Sequence, residues 1–244
     1  MRRLLEYEAA GATDQGRNRK ANEDAYGLSV NNPGNACNFV VCDGMGGAAA
    51  GEVASRMAVD AMLQAMSQTP LSLETLQRAV DVANQNVHRS AEQDPARAGM
   101  GTTLVAMATR GDRAWVAHVG DSRCYRFRDN TLESLTRDHS LVDEQVRLGQ
   151  LTPAQAEVSP MRNVITRAVG TQDEVDADVI EFVVAARDLY LLASDGLMRE
   201  VGDQQIAEIL RDAGDLKKTC ADLIWTANEA GGRDNITCVL VRAR

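Results

Sequence analysis

Residues 38–55 read NFVVCDGMGGAAAGEVAS, and the meaning given to Asp43 within them decides how the whole chain is read. Phe39 to Cys42 is an apolar run of strand type. It stops at Asp43, after which Gly44, Gly46 and Gly47 lead into an alanine- and methionine-rich helical segment from Ala48 to about Met66. A strand, a glycine loop and a helix can cradle a phosphate. An aspartate at a buried strand end can instead hold a metal ion. The first reading has Gly44-x-Gly46-x-x-Ala49 and the downstream Asp60 in its favour, which approximate a dinucleotide fingerprint. Against it, Asp43 would sit beside the pyrophosphate, and a second helix and antiparallel hairpins follow where a parallel strand should return. A Walker-type loop fails because no Gly-Lys-Ser/Thr is present.

The pattern of Asp43 recurs along the chain. Asp195 follows the strand-like LYLLAS (189–194) and precedes Gly196, Asp121 follows RAWVAHVG (113–120), and Asp234 precedes ITCVLVR (236–242). Glu23 and Asp24 lie in an Asn-Glu-Asp near the first strand pair. An ionised acid at a buried strand end is costly unless something pairs with it. One such acid is an ordinary cap or turn residue. Several together, with no matching number of Lys or Arg beside them, suit hard divalent cations, Mg2+ or Mn2+, bound through oxygen. A glycine after the aspartate lets the backbone approach closely and offer its carbonyl. Arg19, four residues before Glu23, is placed to clamp a phosphoryl oxygen. Arg17 reads as a solvated surface residue.

Composition narrows the function classes. The 244 residues carry a formal net charge of −9, which argues against nucleic acid as the main partner. No run reaches the length of a membrane helix, and MRRLLEYEAAGATDQ has no apolar signal-peptide core, so a cytoplasmic protein is expected. The five cysteines (Cys37, Cys42, Cys124, Cys220, Cys238) contain no CxxC pair and read as reduced core residues, not a zinc site. No repeat or low-complexity linker divides the chain, so 1–244 is expected to be a single domain.

Further strand-like runs are TTLVAMAT (102–109), SRCYRFR (122–128) and DVIEFVV (178–184), with hairpin turns at Gly111-Asp112 and Asp129-Asn130. Helical spacing recurs after Ser72, a candidate N-cap, at Leu73, Leu76, Val80, Ala83 and Val87. Near the C-terminus Ile206, Ile209 and Leu210 share one face. Leu216, Cys220, Leu223 and Ala227 form another, ended by Gly231-Gly232. This order predicts an α+β domain with helices covering packed antiparallel sheets. Residues 138–165 fit neither pattern and read as a surface insertion with short helices.

Taken with their order, TDQGRNRKANEDA (13–25), VVCDGMGG (40–47), GTTLV (101–105), HVGDSRCYRF (118–127), LTRDHSLV (135–142), NVITRAVG (163–170), LLASDGL (191–197) and GGRDNITCVLV (231–241) are highly specific. They resemble the metal-dependent serine/threonine protein phosphatases of the protein phosphatase 2C type, in their bacterial single-domain form. The resemblance implies a central antiparallel β-sandwich flanked by a helix pair on each side, with residues 138–165 as a flap beside the site. It implies Asp43 as the acid bridging two metals, Glu23 and the Gly44 carbonyl completing one, and Asp195 and Asp234 holding the other. Asp121, with Asp195 shared, matches the acid of a weaker third site, Arg19 matches the phosphate-binding arginine, and Asp24 is a water-mediated support.

Met45 stands where many eukaryotic members carry a histidine proposed as general acid; bacterial members often have methionine. The flap has Ser159-Pro160 where His-Pro is frequent, and His139 reads as structural. The implied activity is hydrolysis of phosphoserine and phosphothreonine by a water bridging two Mn2+ or Mg2+ ions, without a phosphoenzyme. The implied partners are phosphorylated proteins, among them a Hanks-type Ser/Thr kinase and its substrates, and the expected state is a monomer. Two alternatives are a catalytically inactive phosphoprotein-binding module and a phosphatase dedicated to one regulatory partner. Loss of a core acid would mark the inactive module; every one is present.

Overall fold

The computed structural model describes residues 5–32, 36–46, 50–68 and 70–244. In chain order, β1 (Tyr7–Asp14), β2 (Asp24–Asn32) and β3 (Ala36–Met45) precede α1 (Ala50–Gln68) and α2 (Leu73–Gln93). Next come β4 (Gly101–Thr102), β5 (Leu104–Arg110), β6 (Arg113–Val119), β7 (Arg123–Arg128) and β8 (Thr131–Ser134). α3 (Leu141–Arg147), α4 (Pro153–Glu157), β9 (Asp178–Val183) and β10 (Leu189–Ala193) follow. The chain ends with α5 (Asp195–Met198), α6 (Asp203–Arg211), α7 (Leu216–Ala230) and β11 (Ile236–Ala243).

The strands form two antiparallel sheets. One runs β1-β11-β10-β7-β8, and the other β2-β3-β5-β6-β9 with β4 paired to the end of β3. Each central strand is apolar on both faces because each face has its own core. From β3, Phe39 and Val41 point between the sheets, while Val40 and Cys42 point to α1 and α2. From β11, Val239 and Val241 point between the sheets, and Cys238 and Leu240 point to α6 and α7. Three cores therefore separate four layers, helix–sheet–sheet–helix, as the sequence predicts.

Local chemistry sets the boundaries. Ser72 caps α2 reciprocally with Thr75. Leu76, Val80, Ala83 and Val87 of α2 are buried, whereas Leu73 in its first turn is exposed. Asp129 and Asn130 both have positive φ (50° and 61°), the backbone a two-residue β7–β8 hairpin requires. Asp215 caps α7, and Gly231 ends it at φ 151°. All five cysteines are free and buried.

Three features differ from the sequence reading. The run 102–109 is two strands, because Thr103 leaves the ladder to bond Asp43. β1 and β2 lie outside the strand-like runs. Their glycines mark close approaches: a Cβ on Gly11 would fall 2.4 Å from the Tyr26 ring, and one on Gly27 2.6 Å from Leu63. Short α5 follows β10 directly. The expected start of α1 at Ala48 and the role given to Gly47 fall outside the described residues.

Candidate active site

Antiparallel pairing brings the acids to one end of the sandwich. Asp43, near the end of β3, lies opposite Asp24 at the start of β2. The end of β6 pairs with the start of β5, which puts the following turn and Asp121 at that end. Ala193 of β10 pairs with Cys238 of β11, so Asp195 just after one strand and Asp234 just before the other emerge together. The site thus draws on both sheets.

Hydrogen bonds fix each carrier. The Asp43 N–H donates to Thr103 Oγ1, and its carbonyl accepts from the Thr103 N–H and the Thr102 hydroxyl, all at 2.9 Å. Thr103 in turn shares a 2.7 Å bond with Ser122, beside Asp121. The Gly44 N–H donates to the Glu23 carbonyl at 3.1 Å. A Cβ on Gly44 would lie 2.0 Å from the Gly51 carbonyl oxygen, and one on Gly51 2.6 Å from Glu23 Oε1. The start of α1 therefore seats directly on the strand end and on Glu23. Asn235 anchors the loop that carries Arg19: its Oδ1 accepts from the Glu23 N–H, and its Nδ2 donates to the Gln15 and Ala21 carbonyls, at 2.8–2.9 Å. Ser194 donates to Asp24 Oδ2 at 2.7 Å. Asp121 is positioned through His139, whose Nδ1 accepts from the Gly120 N–H and whose backbone N–H donates to the Gly120 carbonyl.

The electrostatics are those of crowded carboxylates. Burial, and then the neighbouring Asp195, pushes Asp121 up to about 8. Burial raises Asp24 to about 7, its hydrogen bonds to Thr237 and Ser194 opposing the rise. Asp43 is held well above the usual carboxylate range by burial and by Asp24 and Asp195, and Asp195 is raised by burial against the pull of Arg199. Asp24 Oδ1 and Asp195 Oδ1 are buried without a hydrogen-bond partner. Buried, oxygen-only, partnerless donors fit a hard divalent cation.

Two arginines occupy the acid end. Arg19, half exposed, donates from Nη2 to Asp234 Oδ2 at 2.8 Å. Arg199 pairs with Asp195 and reaches Asp121 Oδ2 at 3.3 Å and Asp234 Oδ2 at 3.8 Å. As these side chains stand, no three His, Cys, Asp or Glu groups among the described residues form a ready metal cage. Arg17 pairs with Glu229 on the surface, apart from the acids.

Residues missed by sequence reasoning are Arg199, Asn235, Ser194, Thr102 and Thr103. Asn235, Ser194 and the two threonines sit inside the motifs quoted above, and that adjacency to acids was the available signal. Arg199 had only its spacing, four residues after Asp195.

Residues 138–165 leave and return beside this end. Ser140 caps α3 and bridges to Ile165, and the Thr166 N–H donates to the His139 carbonyl. Leu148, Val158, Met161 and Val164 expose apolar surface there.

A family model for protein phosphatase 2C matches residues 13–240. Protein phosphatase PhpP of Streptococcus pneumoniae is 38% identical over 234 residues, 94% of either chain. The crystal structure of serine/threonine phosphatase Stp1 from Staphylococcus aureus superposes with a TM-score of 0.91 at 34% identity, covering 99% of this chain and 98% of that one. The catalytic domain of serine threonine protein phosphatase PstP in complex with two manganese ions superposes at 0.87, with 34% identity and 99% of both chains covered. The chain belongs to the protein phosphatase 2C family.

Proposed function

We propose that this chain is a metal-dependent protein phosphatase that hydrolyses phosphoserine and phosphothreonine in proteins. The observation that carries the reading is the gathering of Glu23, Asp24, Asp43, Asp121, Asp195 and Asp234 at one end of the sandwich beside Arg19. Relatives named serine/threonine phosphatase, and one solved with two manganese ions, support it.

Asp43 would be the shared ligand: with Glu23 and the Gly44 carbonyl it would hold one ion, and with Asp195 and Asp234 the other. When bound, two Mn2+ or Mg2+ ions supply Lewis acidity and a water acidic enough to attack phosphorus at neutral pH. Thr102, Thr103 and Asn235 keep the ligand-bearing strand ends in register. Arg19 retains donors beyond the one on Asp234 and turns them to the phosphoryl oxygens, where they neutralise charge in the transition state. As the water oxygen bonds to phosphorus it releases a proton to solvent, the bond to the serine or threonine oxygen breaks, and that oxygen takes a proton from solvent. Met45, at the end of β3, has no titratable proton to give. The physiological substrates are a Hanks-type kinase and the proteins it phosphorylates in the cytoplasm; no helix among the described residues is long and apolar enough to cross a membrane.

The test is dephosphorylation of an autophosphorylated Hanks-type kinase domain. Turnover is expected with Mn2+ and is lost in EDTA. Asp43→Asn is expected to lower kcat by more than about a hundredfold, the scale of losing one preorganised transition-state contact, while keeping the wild-type circular dichroism spectrum. Full turnover in that variant, or in chelated enzyme, would sink the mechanism.

A further inference from the structure

Arg199 is an acid-end residue that the two-metal mechanism leaves without a task. It follows α5, one helical turn beyond Asp195, and its own N–H bonds the Asp195 carbonyl at 2.9 Å, which fixes the backbone beneath it. This i,i+4 spacing lays the guanidinium over the Asp195 carboxylate. Asp121 arrives from the other sheet, in a turn set by Gly120 at φ 102° and by His139. One nitrogen, Nη2, spans both acids: it pairs with Asp195 Oδ2 and lies 3.3 Å from Asp121 Oδ2. Both carboxylates are nearly enclosed, and the arginine is 30% exposed, so the guanidinium closes the gap between them from the solvent side.

We infer that Arg199 is a built-in cation filling the position between Asp121 and Asp195, so that this phosphatase takes two metal ions and not three. The inference rests on the two-metal reading above. Its physical basis is competition for one space: an ion bridging Asp121 and Asp195 must displace Nη2. The guanidinium has the advantage of a tether, which gives it a high effective concentration that dilute metal must overcome. It is also more weakly hydrated than a compact cation, so less solvation is lost on entering the gap. Charge agrees. Two divalent ions with Arg19 and Arg199 carry six positive charges against the six carboxylates of the site. Asp234 is already engaged by Arg19 at 2.8 Å, and the longer 3.8 Å approach of Arg199 Nη1 leaves that acid to the core pair. Asp121 thereby becomes a positioning residue for Arg199.

Mn2+ binding stoichiometry, measured by the electron paramagnetic resonance signal of free Mn2+ during titration into full-length protein, reads this directly. Two ions are expected for the wild type and three for Arg199→Ala, the third weaker than the others. Arg199→Lys, which keeps a tethered cation, and the double variant Arg199→Ala/Asp121→Ala are expected to return to two. Arg199→Gln, nearly equal in size, gives the same third ion if the alanine variant does not fold. Three ions in the wild type would overturn the inference, as would two in folded Arg199→Ala and Arg199→Gln. No bound Mn2+ in the wild type would overturn it together with the two-metal reading beneath it. Wild type and both neutral variants all binding two would overturn the inference and leave the two-metal reading standing.

Discussion

Arg19 and Arg199 both face aspartates, yet their settings give them different work. Arg199 is pinned to a helical turn and engaged on more than one side. Arg19 sits on the loop between β1 and β2 with its side chain half exposed and paired, among the described residues, with Asp234. It can exchange that partner for a phosphoryl oxygen without leaving a buried carboxylate uncompensated, because ions at Asp234 take over the neutralisation. A hydrogen bond between charged groups contributes roughly 1.5–3 kcal/mol. Arg19→Ala is therefore expected to raise KM for a phosphopeptide by about ten- to a hundredfold, with the larger part of the loss in KM and not in kcat. An unchanged KM in steady-state kinetics would remove Arg19 from phosphate binding. The two arginines also mark how far residues were legible. Aspartates at strand ends stand out because an acid ending an apolar run is costly and needs a reason. Arg199 carries no such signal, since an arginine four residues after an aspartate reads as an ordinary helix pair until Asp121 arrives from the other sheet.

At the scale of elements, legibility followed side-chain size. The central strands β3, β5, β10 and β11 serve a core on each face, so they read as continuous β-branched and apolar runs. β1 and β2 serve the same cores with glycine and alanine, because Tyr26 lies over Gly11 and α1 lies over Gly27, and small residues give no strand signal. β6 carries a hidden cost of a different kind. His118 is buried, neither ring nitrogen has a hydrogen-bond partner, and its ring lies 4.6 Å from that of His139. Burial, and next His139, lower its pKa to about 4; Asp138 and Asp178 oppose the shift but are themselves engaged by Arg123 and Arg167. The unfolded chain protonates this imidazole near 6.5, whereas the folded chain resists until about pH 4. Between those values the unfolded state binds more protons, so stability falls as pH falls. His118→Phe keeps an aromatic ring and removes the titration. Its stability relative to wild type is expected to improve by roughly 1 kcal/mol for each pH unit below 6.5, read from urea unfolding at pH 7, 6 and 5. Parallel pH profiles for the two proteins would contradict the buried-neutral assignment.

At the scale of the molecule, the site joins the two sheets that pack on the core between them. Glu23, Asp24, Asp43 and Asp121 come with one sheet, and Asp195 and Asp234 with the other. Burial first, and then neighbouring carboxylates, hold Asp43, Asp121 and Asp195 upward, and for Asp43 and Asp121 some of those neighbours lie across the seam. Ions that bind only when both sheets are in place must stabilise the whole fold. An unfolded chain scatters the same six acids over more than two hundred residues and offers no comparable site. Linkage sets the size: a ligand at a hundred times its Kd contributes about 2.7 kcal/mol, and in a chain of this length each kcal/mol moves Tm by roughly 2–4 °C. Saturating Mn2+ is therefore expected to raise Tm by about 5–10 °C over the EDTA-treated protein. Asp43→Asn is expected to lose most of that rise, because both ions share the missing charge. A wild-type Tm indifferent to Mn2+ in differential scanning calorimetry would mean that the acids do not form one cation site across the seam.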